Sequence, residues 1–169
     1  MALAWIGLGS NLDDPIKHVT QALDQLHQLH PTHLVKASQL WQSQPVGPQD
    51  QPDFINAVAL IETQLAPLAL LHQLQALEQA HRRVRERHWG PRTLDLDLLA
   101  YEQQVMASTE LTLPHPRLYE RAFVLKPWAE LEADCILPPG QSIQFWLDQL
   151  PQAALNEVLP LQTESYATL

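Results

Sequence analysis

The chain is 169 residues long and 46% hydrophobic, enough for a packed core and too rich in apolar side chains for intrinsic disorder. Asp and Glu number 19 against 10 Lys and Arg, a net charge of −9, which is the wrong sign for a general nucleic-acid or anionic-membrane binder. A single cysteine, Cys135, excludes an internal disulfide and suits a reducing compartment.

Ala2 to Gly9 reads as a buried strand ending in Gly-Ser-Asn-Leu. Asp13-Asp14-Pro15 then supplies acidic caps and a proline for the first helical position. Ile16, Val19, Leu23, Leu26 and His30 follow at helical spacing, and Pro31 stops that helix. A second strand is expected over residues 33–42. The proline-rich stretch 45–53 is a loop, and Phe54 to Thr63 a third strand. Pro67 opens a second helix with Leu68, Leu71, Leu74 and Leu77 on one face. Thr93 to Tyr101 is a fourth strand, followed by helices near residues 123–131 and 142–150. Residues 155–169 carry no clear element and are expected to form a loose tail.

The order strand, helix, strand, strand, helix, strand is the split βαβ arrangement of a ferredoxin-like α+β domain, a mainly antiparallel sheet with C-terminal helical additions. One domain over residues 1–169 is expected. No basic leader precedes the apolar start, and no run approaches the ~20 apolar residues needed to cross a bilayer. A cytoplasmic protein follows as the expectation.

Charge is distributed unevenly along the chain. Eight of the ten basic residues fall between Arg82 and Lys126, and five of them between Arg82 and Arg92. A helix end neutralising its own carbonyls would account for Arg82 and Arg83 but not for five arginines. Arginine's forked donors suit phosphate or carboxylate, so the cluster points to one bound anion.

The fourth strand carries Leu94-Asp95-Leu96-Asp97-Leu98-Leu99. Alternation sends Leu94, Leu96 and Leu98 to one face and Asp95, Asp97 and Leu99 to the other. Two carboxylates roughly 6.5–7 Å apart at Cα on one strand face repel each other unless a cation lies between them. They suit one Mg²⁺ or a bridged pair. Next to the arginine cluster, they describe a site for magnesium-bound polyphosphate.

Other motifs are weak. Gly7-Leu-Gly9 lacks the third glycine of a dinucleotide loop. His27, His30 and His33 are broken by Pro31 and lack an acidic or thiol neighbour for a metal. Ser10 and Ser43 have no evident base partner.

His88-Trp-Gly-Pro-Arg-Thr-Leu-Asp-Leu-Asp-Leu-Leu99 resembles the signature of the 6-hydroxymethyl-7,8-dihydropterin pyrophosphokinases. Four further segments resemble the same family: Ile6–Leu12, Pro45–Asn56, Arg83–Arg85 and Leu113–Val124. The resemblance implies transfer of an intact pyrophosphoryl group from ATP to the dihydropterin hydroxymethyl group, with AMP released. It implies two Mg²⁺ on Asp95 and Asp97, with Arg83, Arg92, Asp95 and Asp97 as the catalytic set. ATP would meet Gln75, Glu78, Arg85, Trp89, Arg92, Leu98, His115 and Arg121. The pterin would stack between Phe54 and Phe123, with Ser43, Val46, Asn56 and Trp89 also around it. Small molecules are the implied partners of a monomer, with no nucleic acid and no membrane.

The chain departs from the family pattern at three places. His88 stands where an arginine is common, Gln44 where a proline is, and Ser43 where a threonine is. An RNA-binding module on the same fold is disfavoured, because the chain is acidic and lacks an RNP-type aromatic motif. A catalytically silent relative is the nearer alternative, and the presence of Asp95, Asp97, Arg92 and His115 argues against it.

Overall fold

The structure is a computed structural model, and it describes residues 1–44, 52–81 and 93–161. Strand β1 (Ala2–Ser10) leads to helix α1 (Pro15–Gln28). Asp14 caps that helix, its carboxylate accepting from Lys17 N, and Pro15 occupies the first turn. Next come β2 (Thr32–Ala37), β3 (Trp41–Ser43), β4 (Phe54–Thr63), α2 (Pro67–His81) and β5 (Asp95–Tyr101). The C-terminal part adds β6 (Met106–Ala107), β7 (Thr112–Leu113), a 3₁₀ turn (Leu118–Glu120) and α3 (Ala122–Glu132). It ends with β8 (Ile136–Leu137), β9 (Gln141–Ser142), α4 (Ile143–Asp148), α5 (Gln152–Asn156) and β10 (Val158–Pro160).

The main sheet runs β10-β3-β4-β1-β5, with β2 also paired to β4, and every pairing is antiparallel. This is the expected ferredoxin-like arrangement, in which first and third core strands sit side by side at the centre. Alternation along the strands builds two cores. On one face Ile6, Leu8, Ala57, Ile61, Leu96 and Leu98 pack against Val19, Ala22 and Leu26 of α1 and Leu70 and Leu74 of α2. On the other, Trp5, Val58, Leu60 and Leu99 pack against Val124, Leu125 and Trp128 of α3 and Ile143 of α4. The Trp5 and Trp128 rings lie 5.0 Å apart at 32°.

Two differences from the sequence expectation stand out. The strand over residues 33–42 is in fact two. Four steps from Ala37 to Trp41 face only three from Ala59 to Asn56, so one residue is extra. Ser38 absorbs it: its N donates to Val58 O at 2.9 Å, and its Oγ accepts from Val58 N at 3.0 Å. A hydroxyl thus stands in for a backbone carbonyl in the ladder, as a bulge requires. The stretch 155–169 is the second difference. Part of α5 and all of β10 fall within it, Val158 pairs with Ser43, and Leu161 N donates to Leu40 O at 2.9 Å. Residues 162–169 lie outside the described residues. Among the described residues no helix is long and apolar enough to cross a membrane.

Candidate active site

The sheet face carrying α3 and α4 is only partly covered by them. Beyond the Trp5–Trp128 contact the strands present Gly7 and Gly9 on β1, Asn56 on β4, and Asp95 and Asp97 on β5. Register aligns them in rows: Asn56, Gly9 and Asp95 in one, Val58, Gly7 and Asp97 in the next. Without side chains, the two glycines make a floor between the polar groups on either side. A Cβ on Gly9 would lie 3.3 Å from Asn56 Oδ1, and one on Gly7 3.4 Å from the Leu99 side chain. The β1–β5 register slips between Trp5 and Ile6, leaving Leu99 as an extra residue. Asp95 and Asp97 therefore share their face with Leu99, as alternation predicts.

Above this floor lies a cavity of about 580 Å³. Ser43, Gln44, Phe54 and Asn56 line it from β3 and β4, and Asp95 and Asp97 from β5. Arg117, Glu120, Arg121 and Phe123 line it from the 3₁₀ turn and the start of α3. The C-terminal segment contributes Ala154, Glu157 and Val158. Two aromatic rings with a small set of fixed polar groups suit a flat, polar heterocycle. Asn56 is held by its own amide, Nδ2 donating to Ser43 Oγ at 2.7 Å, with both residues buried. Arg121 stands 3.6 Å from Asp97 Oδ2, and its guanidinium lies 5.5 Å from the centre of the Phe123 ring.

A second cavity of about 270 Å³ wraps around the edge of β5. Leu71, Leu96, Asp97 and Leu98 form one side, and Ser108, Glu110, Thr112, His115 and Pro116 the other. Hairpin β6–β7 supplies that second wall. It is tied to α2 by a contact between Glu110 Oε2 and His72 Nε2. Asp97 lines both cavities.

His115 is fixed by its N donating to Leu99 O at 2.8 Å, and its Nδ1 accepts from Arg117 N at 3.2 Å. Burial holds its pKa below the usual imidazole value; Asp97 opposes that shift, and Arg121 and Arg117 reinforce it. A neutral ring with Nδ1 as acceptor carries its proton on Nε2, which is then a donor for an anion.

The expected residues fall into three groups. Ser43, Phe54, Asn56, Phe123, Arg121, Asp95 and Asp97 gather around the first cavity, and Leu98, His115 and Asp97 around the second. Leu98 is at the same time a core residue. Glu78 and Gln75 line neither. Glu78 Oε2 accepts from Leu96 N at 2.7 Å, which braces β5 between its two aspartates, and Gln75 is exposed on α2. Val46, Arg83, Arg85, Trp89 and Arg92 lie outside the described residues, as do Arg87 and His88.

Reading the residues did not single out the glycine floor, Arg117, Glu120, Glu110 or the wall from Ala154 to Val158. Arg117 and Glu120 lie in the segment Leu113–Val124, whose charge density was the available signal. Nothing local marked the C-terminal wall.

Among the described residues no group of three or more His, Cys, Asp or Glu side chains is placed to hold a metal. Asp95 and Asp97 themselves form a two-carboxylate donor set. That is the hard-oxygen chemistry Mg²⁺ takes when substrate phosphates and water complete its shell. The residues present therefore fit magnesium bound together with a polyphosphate.

Comparison with known proteins gives the family. A 2-amino-4-hydroxy-6-hydroxymethyldihydropteridine pyrophosphokinase of Haemophilus influenzae is 49% identical over 160 residues, covering 95% of this chain and all of the relative. The Pseudomonas aeruginosa protein of the same name is 46% identical over 147 residues, covering 87% of this chain and 91% of its own. A solved Plasmodium falciparum HPPK-DHPS structure superposes with a TM-score of 0.70 at 12% identity, over 88% of this chain and 45% of that one, a likeness of fold. The family model of 7,8-dihydro-6-hydroxymethylpterin-pyrophosphokinase matches residues 5–133. The chain belongs to the 7,8-dihydro-6-hydroxymethylpterin-pyrophosphokinase family.

Proposed function

We propose that this chain transfers the pyrophosphoryl group of ATP to the hydroxymethyl group of 6-hydroxymethyl-7,8-dihydropterin in folate synthesis, releasing AMP. The observation that carries this reading is the sharing of Asp97 between two cavities of different character. The first, with its aromatic pair and the Asn56–Ser43 hydrogen bond, takes the pterin. The second, around the edge of β5, takes the nucleotide. Their junction at Asp97 is where a hydroxyl from one side meets a phosphate from the other.

The pterin ring stacks between Phe54 and Phe123, with Ser43 and Asn56 reading its edge. The hydroxymethyl oxygen forms a bond to the β-phosphorus, the bond from that phosphorus to the oxygen bridging the α-phosphorus breaks, and the hydroxyl proton is lost. Such a transfer needs alignment and charge neutralisation more than covalent help. Arg121, lying beside both Asp97 and Phe123, holds phosphate charge at the pterin side, and His115 donates from Nε2 at the nucleotide side. Asp95 and Asp97 would hold two Mg²⁺, which when bound supply further neutralisation of the phosphates. Resemblance to the family supports roles for Arg83, Arg85, Trp89 and Arg92 toward ATP and for Val46 and Trp89 toward the pterin. Gln75 and Glu78 take part from α2. Action on these small molecules as a monomer is part of the proposal, and the single cysteine, Cys135, suits a reducing cytoplasm.

Nucleotide analysis of purified protein with ATP, Mg²⁺ and 6-hydroxymethyl-7,8-dihydropterin tests the proposal. AMP formed only when the pterin is present supports it. ADP as the product, or no product despite binding of both ligands, overturns it.

A further inference from the structure

Helix α3 places Phe123 in the first cavity and Lys126 one turn further on. The Lys126 ammonium donates to Leu155 O at 2.8 Å and to Val158 O at 2.7 Å, and lies 5.6 Å from the centre of the Trp41 ring. Two carbonyls thus accept from the ammonium, with the indole face close by. Leu155 is in the last turn of α5, where a cation is favoured. Val158 opens β10 and pairs with Ser43. Glu130, a turn after Lys126, fixes the indole platform: its Oε1 accepts from Trp41 Nε1 and its Oε2 from Gln39 N, both at 2.9 Å.

The segment Lys126 grips is the one whose Ala154, Glu157 and Val158 wall the first cavity. Short elements at the end of a chain dock only where something ties them down. Here α5 has no buried residue, and β10 is three residues long with only Val158 buried. Leu155 and Val158 join Trp41, Ala122 and Phe123 in a small apolar cluster, and the Lys126 ammonium adds two polar anchors to that contact.

We propose that Lys126 is a positioning residue for the acceptor cavity: by bridging α3 to the α5–β10 segment, it sets the span between Phe123 and the wall formed by Ala154, Glu157 and Val158. The inference rests on the first cavity being the pterin site. It assigns the C-terminal segment to pterin binding rather than to the nucleotide.

The test is Lys126→Met, which keeps the apolar stem and removes the donors, with Lys126→Arg as the conservative variant. Steady-state kinetics are run in each substrate, and amide hydrogen exchange is followed over residues 152–161. The pterin KM should rise about tenfold, while the ATP KM and kcat stay within about threefold. Exchange should quicken over the segment, and Lys126→Arg should recover much of both effects. Equal rises in both KM values, or no change in the pterin KM, would overturn the inference. So would Lys126→Arg behaving as badly as Met. If Lys126→Met does not fold, Lys126→Gln, which is neutral and one atom too short to reach both carbonyls, is measured against the same criteria. Wild-type protein that made no pterin-dependent AMP would instead refute the functional reading, and with it the assignment of this cavity. An active wild type with an unchanged pterin KM in the variant refutes only the role of Lys126.

Discussion

Gly9→Ala separates the stability of the sheet from the geometry of the site. Gly9 lies in β1 outside the left-handed region, so alanine adopts its backbone without strain. The smaller entropy of the unfolded alanine chain alone would stabilise the protein by about 0.4–1 kcal/mol. The added Cβ meets Asn56 Oδ1 at 3.3 Å, so the Asn56 amide must give way by a few tenths of an ångström. That amide is 3% exposed and is held at 2.7 Å to Ser43 Oγ, itself 4% exposed. A misaligned hydrogen bond between two buried groups costs roughly 1–3 kcal/mol. Much of that cost falls on a ligand that must use the same amide. We therefore expect the pterin KM to rise about tenfold, at 1.4 kcal/mol per decade, while the melting temperature falls by a few degrees, the alanine gain offsetting part of the cost. Gly7→Ala is the comparison, since its Cβ meets the movable Leu99 side chain at 3.4 Å. Calorimetric titration of pterin and thermal unfolding of both variants provide the readings. A pterin affinity within twofold of wild type in Gly9→Ala would refute the placing of the ring against Asn56.

Other predictions concern charge. Asp95→Ala and Asp97→Ala should each lower turnover at least about a hundredfold with the fold intact, read from AMP release and circular dichroism. Near-normal activity of either in Mg²⁺ would contradict its place as a metal ligand. A second test lies away from the cavities, where His18 Nδ1 and His81 Nδ1 are 2.7 Å apart and His81 Nε2 is 2.7 Å from Gln25 Oε1. With Gln25 Oε1 as acceptor, His81 Nε2 carries the proton and donates, and His81 Nδ1 accepts a hydrogen bond from His18 Nδ1–H. Burial, then the neighbouring His18, holds the His81 pKa below its usual 6.5. A lowered folded-state pKa means that the unfolded chain binds more protons there. The stabilisation is present above about pH 6.5 and is lost as pH falls from there through the folded-state value. Melting temperatures from pH 8 to 5 should show this loss in wild type and less of it in His81→Gln; parallel curves would refute the assignment.

Period-two alternation was enough to place Asp95 and Asp97 on one face with Leu99, because a strand fixes side-chain direction whatever surrounds it. Helix α1 was legible for a similar reason, through its apolar spacing and the Asp14-Pro15 start; the extent of α2 was too, but not its whole face, since Leu68 is exposed and Leu70, outside the expected set, is fully buried. Ser38 was not, since its hydroxyl breaks β2 from β3 only by meeting Val58 twenty residues away. β10 was hidden for the same kind of reason. Three residues carry no periodicity, and their partner Ser43 is distant in sequence. Gly7 and Gly9 read as half of a nucleotide motif, whereas their effect is to leave room between Asn56 and Asp95. That role depends on register, which no local pattern states. The wall of the second cavity has the same difficulty, because β6 and β7 are two residues each.

The central claim is that pterin and nucleotide occupy separate cavities that meet at Asp97. The most direct test is a crystal structure of the protein with Mg²⁺, the dihydropterin and an ATP analogue bridged by a methylene between the α- and β-phosphorus. The pterin ring should lie between Phe54 and Phe123 and the triphosphate against Asp95 and Asp97. The hydroxymethyl oxygen should lie about 3–3.5 Å from the β-phosphorus, a near-attack separation. A pterin bound along the edge of β5 beside His115, or a nucleotide base stacked on Phe123, would contradict it.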